Sequence, residues 1–234
     1  MTVRTAIILA GGLGARLNNT VPNLPKPMAP INNRPFLEHQ MDYWIGQGIN
    51  RFILSVGYLK DLIIDHFGDK YKEASIEYAI EHKPLGTGGG LLLAAKNITE
   101  PFLVLNGDTF FEVDLTKFFN FHLKHESEWT LSLFRAKQNE RYLGVDITND
   151  GKITSLQTNK SQSTCLFNGG TYLINPYVLN KLDWSQGNKV SLEDNLLPDF
   201  ITFEGVVYGM ESLGRFIDIG VPDDYYRASE VLSV

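Results

Sequence analysis

The first half of the chain alternates two hydrophobic rhythms. Short runs rich in β-branched and aromatic residues, "TAIILA" (5–10), "RFILSV" (51–56), "SIEYAIE" (75–81) and "PFLVLNGD" (101–108), have the length and composition of strands. Between them, apolar residues recur at helical spacing. "PFLEHQMDYWIGQGI" (35–49) puts Phe36, Leu37, Met41, Trp44 and Ile45 on one face; "LKDLIIDHFGD" (59–69) reads as a second helix and "GGLLLAAKNI" (89–98) as a third. Strands separated by helices in this way predict βαβ units and a parallel sheet.

The pattern after residue 110 is less regular. A helix "LTKFFNFHLKH" (115–125), with Asp114 as its N-cap, precedes a strand "EWTLSLF" (128–134). "GVDITNDGKITSLQ" (144–157) reads as a hairpin turning at Asn149-Asp150-Gly151. "CLFNGGTYLI" (165–174), "GVVYGM" (205–210) and "RFIDIG" (215–220) are further strands, with a short helix in "LEDNLLPDF" (192–200) and a terminal one in "PDDYYRASEVL" (222–232). The expected fold is one α/β domain over residues 1–234, a Rossmann-like three-layer arrangement whose mixed sheet ends in an antiparallel part. No internal repeat or linker divides it.

Composition changes this picture little. The 234 residues are 43% hydrophobic and 21% charged, ordinary values for a folded domain. A formal net charge of −6 argues against nucleic acid as the main partner. No stretch reaches the length of a membrane span, and "TAIILA" runs into glycines instead of a cleavage site, so a cytoplasmic protein without a membrane partner is expected. The lone cysteine, Cys165, sits in the apolar run "CLF" and is expected to be a buried thiol in a reducing compartment. His122 and His125 lack a third metal ligand nearby and are expected at the surface or partly packed. Trp184 and Tyr225 are candidate contacts in a homo-oligomer.

In open α/β sheets the ligand lies beyond the carboxyl ends of the parallel strands. Three segments fall there, "AGGLGARL" (10–17), "KPLGTGGG" (83–90) and "NGD" (106–108), and they should converge on one crevice. The first lacks the third glycine of a dinucleotide fingerprint, and Pro22, Pro25, Pro27 and Pro30 exclude the helix which that fingerprint needs. No Gly-Lys-Ser/Thr of a P-loop follows either. What remains is a loop whose N–H groups can wrap a phosphate. Arg16 offers it a bidentate fork, and Lys26, fenced by Pro25 and Pro27, a point charge.

Six segments resemble, in order and from end to end, the sugar nucleotidyltransferases: "LAGGLGARL" (9–17), "LPKPMAPINNRPFLEH" (24–39), "EHKPLGTGGG" (81–90), "VLNGDTFF" (104–111), "NGGTYLI" (168–174) and "FIDIGVPDDY" (216–225). That family joins a nucleoside triphosphate to a sugar 1-phosphate and releases pyrophosphate. Within it, "PKPMAPINNRPFLE" and "PLGTGGG…VLNGDTFF" are most similar to D-glycero-D-manno-heptose 1-phosphate guanylyltransferases.

The resemblance implies a nucleotide-binding half over about residues 1–110 and a sugar-binding half over about 111–234. It implies Arg16 and Lys26 as catalytic cations, Leu9, Gly11, Gly12, Gly14 and Gly107 around the nucleotide, and Asp108 and Asp218 as ligands of Mg2+. Gly86, Thr87 and Gly88 would form a turn against the base, and Asn168, Gly170 and Glu193 would contact sugar hydroxyls. Glu81 falls where thymidylyl and uridylyl members often carry an amide. A carboxylate only accepts hydrogen bonds, and guanine presents adjacent N1–H and N2–H donors, so Glu81 points to GTP. The competing reading is a strand-end carboxylate facing solvent.

The chain departs from the family where relatives commonly carry Glu-Lys: it has Glu193-Asp194, and before the "NGG" strand only Lys160 in "LQTNKSQS" (156–163). Ala15 also replaces a common threonine. Another nucleotide or another phosphorylated acceptor is therefore the alternative. A non-catalytic binding module would be expected to lose Arg16, Lys26, Asp108 or Asp218, and a glycosyltransferase to carry Asp-x-Asp where "NGDTFF" offers one carboxylate. No hexapeptide repeat follows the last helix, so the acyltransferase activity of larger relatives is not expected.

Overall fold

A computed structural model describes residues 2–12, 14, 17, 20–136, 142–157, 165–182, 184 and 189–233. The chain enters through β1 (Thr5–Leu9), makes a 3-10 turn at Lys26–Met28 and a small ribbon of β2 (Pro30–Ile31) and β3 (Arg34–Pro35), and runs into α1 (Phe36–Gly46). Then follow β4 (Arg51–Val56), α2 (Lys60–Phe67), β5 (Lys70–Tyr71), β6 (Ala74–Ile80), α3 (Gly86–Ala94) and β7 (Phe102–Asn106). β1 pairs in parallel with β4 and β7, and β4 with β6, as the alternation of strands and helices predicts.

The remainder comprises β8 (Thr109–Phe111), α4 (Leu115–Lys124), β9 (Trp129–Arg135), β10 (Gly144–Ile147), β11 (Ile153–Gln157), β12 (Leu166–Ile174), α5 (Leu197–Thr202), β13 (Val207–Glu211), β14 (Phe216–Asp218) and α6 (Pro222–Val231). β12 runs antiparallel to β7 and carries the predicted β10–β11 hairpin on its other side. Among the described residues ten strands form one mixed sheet, β11-β10-β12-β7-β1-β4-β6-β5, with β9 joining β12 to β13.

Strand alternation explains the three layers. Ala6, Ile8, Leu103 and Leu105 point into a core with Leu37, Met41, Trp44, Ile63 and Phe118 from α1, α2 and α4. Their neighbours Ile7, Phe102 and Val104 point to the opposite face, against Leu91 of α3 and Phe200 of α5. A third cluster, with Phe36, Phe110, Ile217 and Ala228, lies under α6.

Several local expectations are corrected. α3 begins at Gly86, so the glycine run is its first turn and no loop. The short helix of 192–200 opens with a π turn at Leu192–Leu196 before α5. "RFIDIG" leaves the main sheet: β14 pairs with β8 in a separate ribbon. Cys165 is exposed because it precedes the buried run of β12. His122 is fully buried, since it completes the apolar stripe Leu115, Phe118, Phe119 of α4, and its Nδ1 meets Thr130 Oγ1 at 2.8 Å. His125 points elsewhere, between the rings of Phe121 and Tyr208. Trp184 packs against the core, and the Tyr225 hydroxyl donates to Pro30 O at 2.9 Å. Asp114 caps α4 as predicted, accepting from Lys117 N at 2.9 Å.

Candidate active site

The turns after β1, β6 and β7 converge on one cleft of 730 Å³, closed on its far side by β12 and the Leu192–Leu196 turn. Every predicted site residue among the described ones lines it, with one exception. Gly88 is buried beneath the π turn: its N–H donates to Val190 O, and a Cβ there would lie 2.8 Å from Leu196 Cδ1. Its smallness serves packing of α3 and leaves it away from the cleft. Arg16 and Lys160 lie outside the described residues, as does Ala15.

The end of β7 carries the first charge pair. Lys26, at the start of the 3-10 turn, donates to Asp108 Oδ2 at 2.8 Å, with side chains 15% and 30% exposed. Gly14, at φ +64°, arches over the lysine stem, where a Cβ would sit 3.0 Å from Cγ. The turn holding Asp108 is fixed from two sides. Gly107 N–H donates to Leu9 O at 3.1 Å, and a Cβ on Gly107 would stand 2.5 Å from that oxygen. From α1, the buried Gln40 donates through Nε2 to Asn106 O at 2.9 Å and Thr109 O at 2.8 Å. Gln40 went unnoticed in the sequence; the signal was a polar residue at a core position, four before Trp44 and three after Leu37.

Asp218 arrives by the β8–β14 ribbon, which sets it opposite Thr109 and so beside Asp108. Its Oδ1 accepts from Gly220 N at 2.6 Å, and Ile219 N–H donates to Asp108 O at 2.9 Å. Two carboxylates lining one cleft fit Mg2+, which uses one or two carboxylates and completes its shell with water and substrate phosphate. Among the described residues there is no group of three or more His, Cys, Asp or Glu that could hold a metal ion.

Glu81, just past β6, faces the cleft. Its Oε1 accepts from Ser55 Oγ at 3.0 Å and its Oε2 from Leu85 N at 2.9 Å. Gly11 lies so close that a Cβ there would be 2.2 Å from Oε1. A side chain at position 11 would require Glu81 to move.

At the far side, a bulge in β12 between Asn168 and Tyr172, with Gly170 at φ +69°, turns Asn168 toward the cleft. Glu193 on the π turn accepts from Thr87 Oγ1, Asn106 Nδ2 and Tyr172 Oη. The Thr87 hydroxyl, expected to serve the base, is engaged here instead. Lys189 also lines the cleft, as do Tyr142 and Phe216, whose rings meet edge to face at 5.3 Å. Among the described lining residues the only cations are Lys26 and Lys189, against the carboxylates of Glu81, Asp108, Glu193, Asp194 and Asp218.

Comparison with known proteins finds relatives along nearly the whole chain. The family model "Nucleotidyl transferase" matches residues 5–233. The chain is 43% identical over 229 residues, 97% of each chain, to a D-glycero-alpha-D-manno-heptose 1-phosphate guanylyltransferase of Aneurinibacillus thermoaerophilus. It is 39% identical over 223 residues to the enzyme of the same description from Campylobacter jejuni, covering 95% of this chain and 97% of that one. HddC from Yersinia pseudotuberculosis, solved in complex with GMP-PN, superposes with a TM-score of 0.85 at 37% identity, covering 99% of this chain and 100% of the other. A mixed sheet with its cleft at the parallel strand ends, matched along nearly the whole length by these proteins, places the chain in the nucleotidyl transferase family.

Proposed function

We propose that the protein transfers GMP from GTP onto a sugar 1-phosphate, D-glycero-D-manno-heptose 1-phosphate, and releases pyrophosphate. The observation that carries this reading is one cleft holding an acceptor-only carboxylate, Glu81, against the glycine loop at one side and the hydroxyl-suited Asn168 and Glu193 at the other, with Lys26 and Asp108 also lining it. The full-length likeness to two heptose 1-phosphate guanylyltransferases supports the choice of substrates.

The chemistry asks little proton transfer of the chain. A phosphomonoester has a second pKa of about 6, so at neutral pH the sugar phosphate oxygen is already an anionic nucleophile. It attacks the α-phosphorus, a new P–O bond forms, the bond to the bridging oxygen of the β-phosphate breaks, and the electron pair leaves with pyrophosphate. The work lies in bringing two polyanions into line. In this reading Lys26 and Arg16 neutralise the triphosphate, N–H groups of Gly11, Gly12 and Gly14 surround it, and Lys189 supplies a cation toward the acceptor phosphate. Asp108 and Asp218 would hold Mg2+, which supplies charge neutralisation at the phosphate oxygens.

Base choice rests on lone pairs. Each Glu81 oxygen already takes one donor from the chain, which leaves each able to accept one more, matching the adjacent N1–H and N2–H of guanine. Uracil and thymine present one such donor beside acceptors.

The test is pyrophosphate release, with and without magnesium, across four nucleoside triphosphates crossed with hexose and heptose 1-phosphates. Release confined to GTP with the heptose 1-phosphate is the expected result; another productive pair would overturn the substrate assignment, and no release with any pair would overturn the activity. Glu81→Gln is expected to weaken GTP relative to UTP, and an unchanged preference would remove Glu81 from base reading.

A further inference from the structure

Glu193 is gripped by three separate elements. Tyr172 on β12 and Asn106 at the end of β7 donate to Oε1 at 3.0 and 3.3 Å, and Thr87 in the first turn of α3 donates to Oε2 at 3.0 Å. The directions of these bonds are set by chemistry. A carboxylate accepts only, so Asn106 must turn its amide nitrogen toward it. The Tyr172 oxygen accepts from Asn168 Nδ2 at 2.7 Å, so its single proton goes to Glu193; burial first, and Glu193 second, hold that phenol well above its ordinary pKa and keep it a donor. Thr87 in turn accepts from Leu192 N–H at 2.8 Å, which commits its own proton to Glu193 as well.

A carboxylate has about four acceptor sites, two on each oxygen. Oε1 spends both on Asn106 and Tyr172, and Oε2 spends one on Thr87. Glu81 contrasts, with one donor from the chain on each oxygen. Thr87 also sits where the two sides of the cleft join: its neighbours Gly88 and Gly89 donate through N–H to Val190 O, which straps α3 to the segment carrying Glu193.

We propose that Thr87, Asn106 and Tyr172 are positioning residues that leave Glu193 one free acceptor site, on Oε2, so that it takes a single hydroxyl of the acceptor sugar where a less constrained carboxylate would take two neighbouring ones. This rests on the reading of Glu193 as an acceptor contact. The hydroxyl it takes lies on the Thr87 side of the carboxylate, and losing the Thr87 proton frees the carboxylate to turn.

The experiment uses whichever sugar 1-phosphate supports pyrophosphate release, together with analogues lacking one hydroxyl at a time, on wild type, Glu193→Gln, Thr87→Val and Thr87→Ser. Glu193→Gln is expected to erase the penalty of one analogue alone. Thr87→Val is expected to raise the acceptor KM about tenfold, the scale of one hydrogen bond to a charged group, while the GTP dissociation constant measured without acceptor stays within about twofold. Thr87→Ser, which keeps the hydroxyl, restores the acceptor KM. Two analogues whose penalties both vanish in Glu193→Gln would overturn the single-hydroxyl assignment. An unmoved acceptor KM in Thr87→Val, or equal losses for GTP and acceptor, would overturn the positioning role while Glu193 keeps its place. A Glu193→Gln variant that matches wild type with every analogue would remove the acceptor reading itself. Should Thr87→Val fail to fold, the analogue series on wild type and Glu193→Gln decides alone.

Discussion

Lys26 and Asp108 hold each other at 2.8 Å in a cleft proposed to receive two phosphate-bearing substrates. In that reading each serves as a transition-state electrostatic partner, a class of group whose removal costs about a hundredfold in turnover. Lys26→Ala and Asp108→Asn are each expected to lower kcat by at least about that factor at saturating substrates. Because the two touch, the double variant should lose less than the product of the single losses. A near-normal kcat in either single variant would take that residue out of the mechanism. The placing of both in the cleft was legible in the sequence, one by its proline fence and the other by its place after a buried strand. Gln40 and the Thr87–Glu193 contact were not. The first is a polar residue hidden in an apolar stripe, and the second joins positions 106 apart, which no local pattern connects.

At the scale of elements, strand alternation was readable because Ile7 and Ile8 must part to opposite faces, and the helices because their stripes close the two cores. The start of α3 was not, since a run of glycines favours a loop on propensity alone. Tertiary bonds override that preference here, with Val190 O accepting from Gly88 and Gly89 N–H. The β7 turn shows how closely elements must meet. In Gly107→Ala the new Cβ would stand 2.5 Å from Leu9 O, a backbone atom that cannot swing aside, so β1 and the Asp108 turn must separate. The expected outcome is a lower melting temperature together with a lower kcat, read by calorimetry and pyrophosphate release. Wild-type values for both would show that the turn relaxes without cost.

The whole molecule couples its stability to pH through His122. Burial lowers the pKa of this imidazole, so the folded chain keeps it neutral, while the unfolded chain takes up a proton below about 6.5. With the folded value depressed, the contribution is fully present above about pH 6.5 and is lost as pH falls from there through the folded pKa. The urea midpoint of wild type should therefore drop between about pH 7.5 and about pH 5.5 by more than that of His122→Asn. Equal drops would assign the acid sensitivity to other groups.

The Lys26–Asp108 pair also gives the cleft a logic. Its two charges neutralise each other, so a ligand that engages one alone takes the other away from its partner. A bare triphosphate would take Lys26 and meet the unpaired Asp108; a bare divalent cation would take Asp108 and meet Lys26. A magnesium–triphosphate complex offers both partners at once. On the proposed reading the ion pair would act as an AND gate, closed to either input alone and opened by the two together.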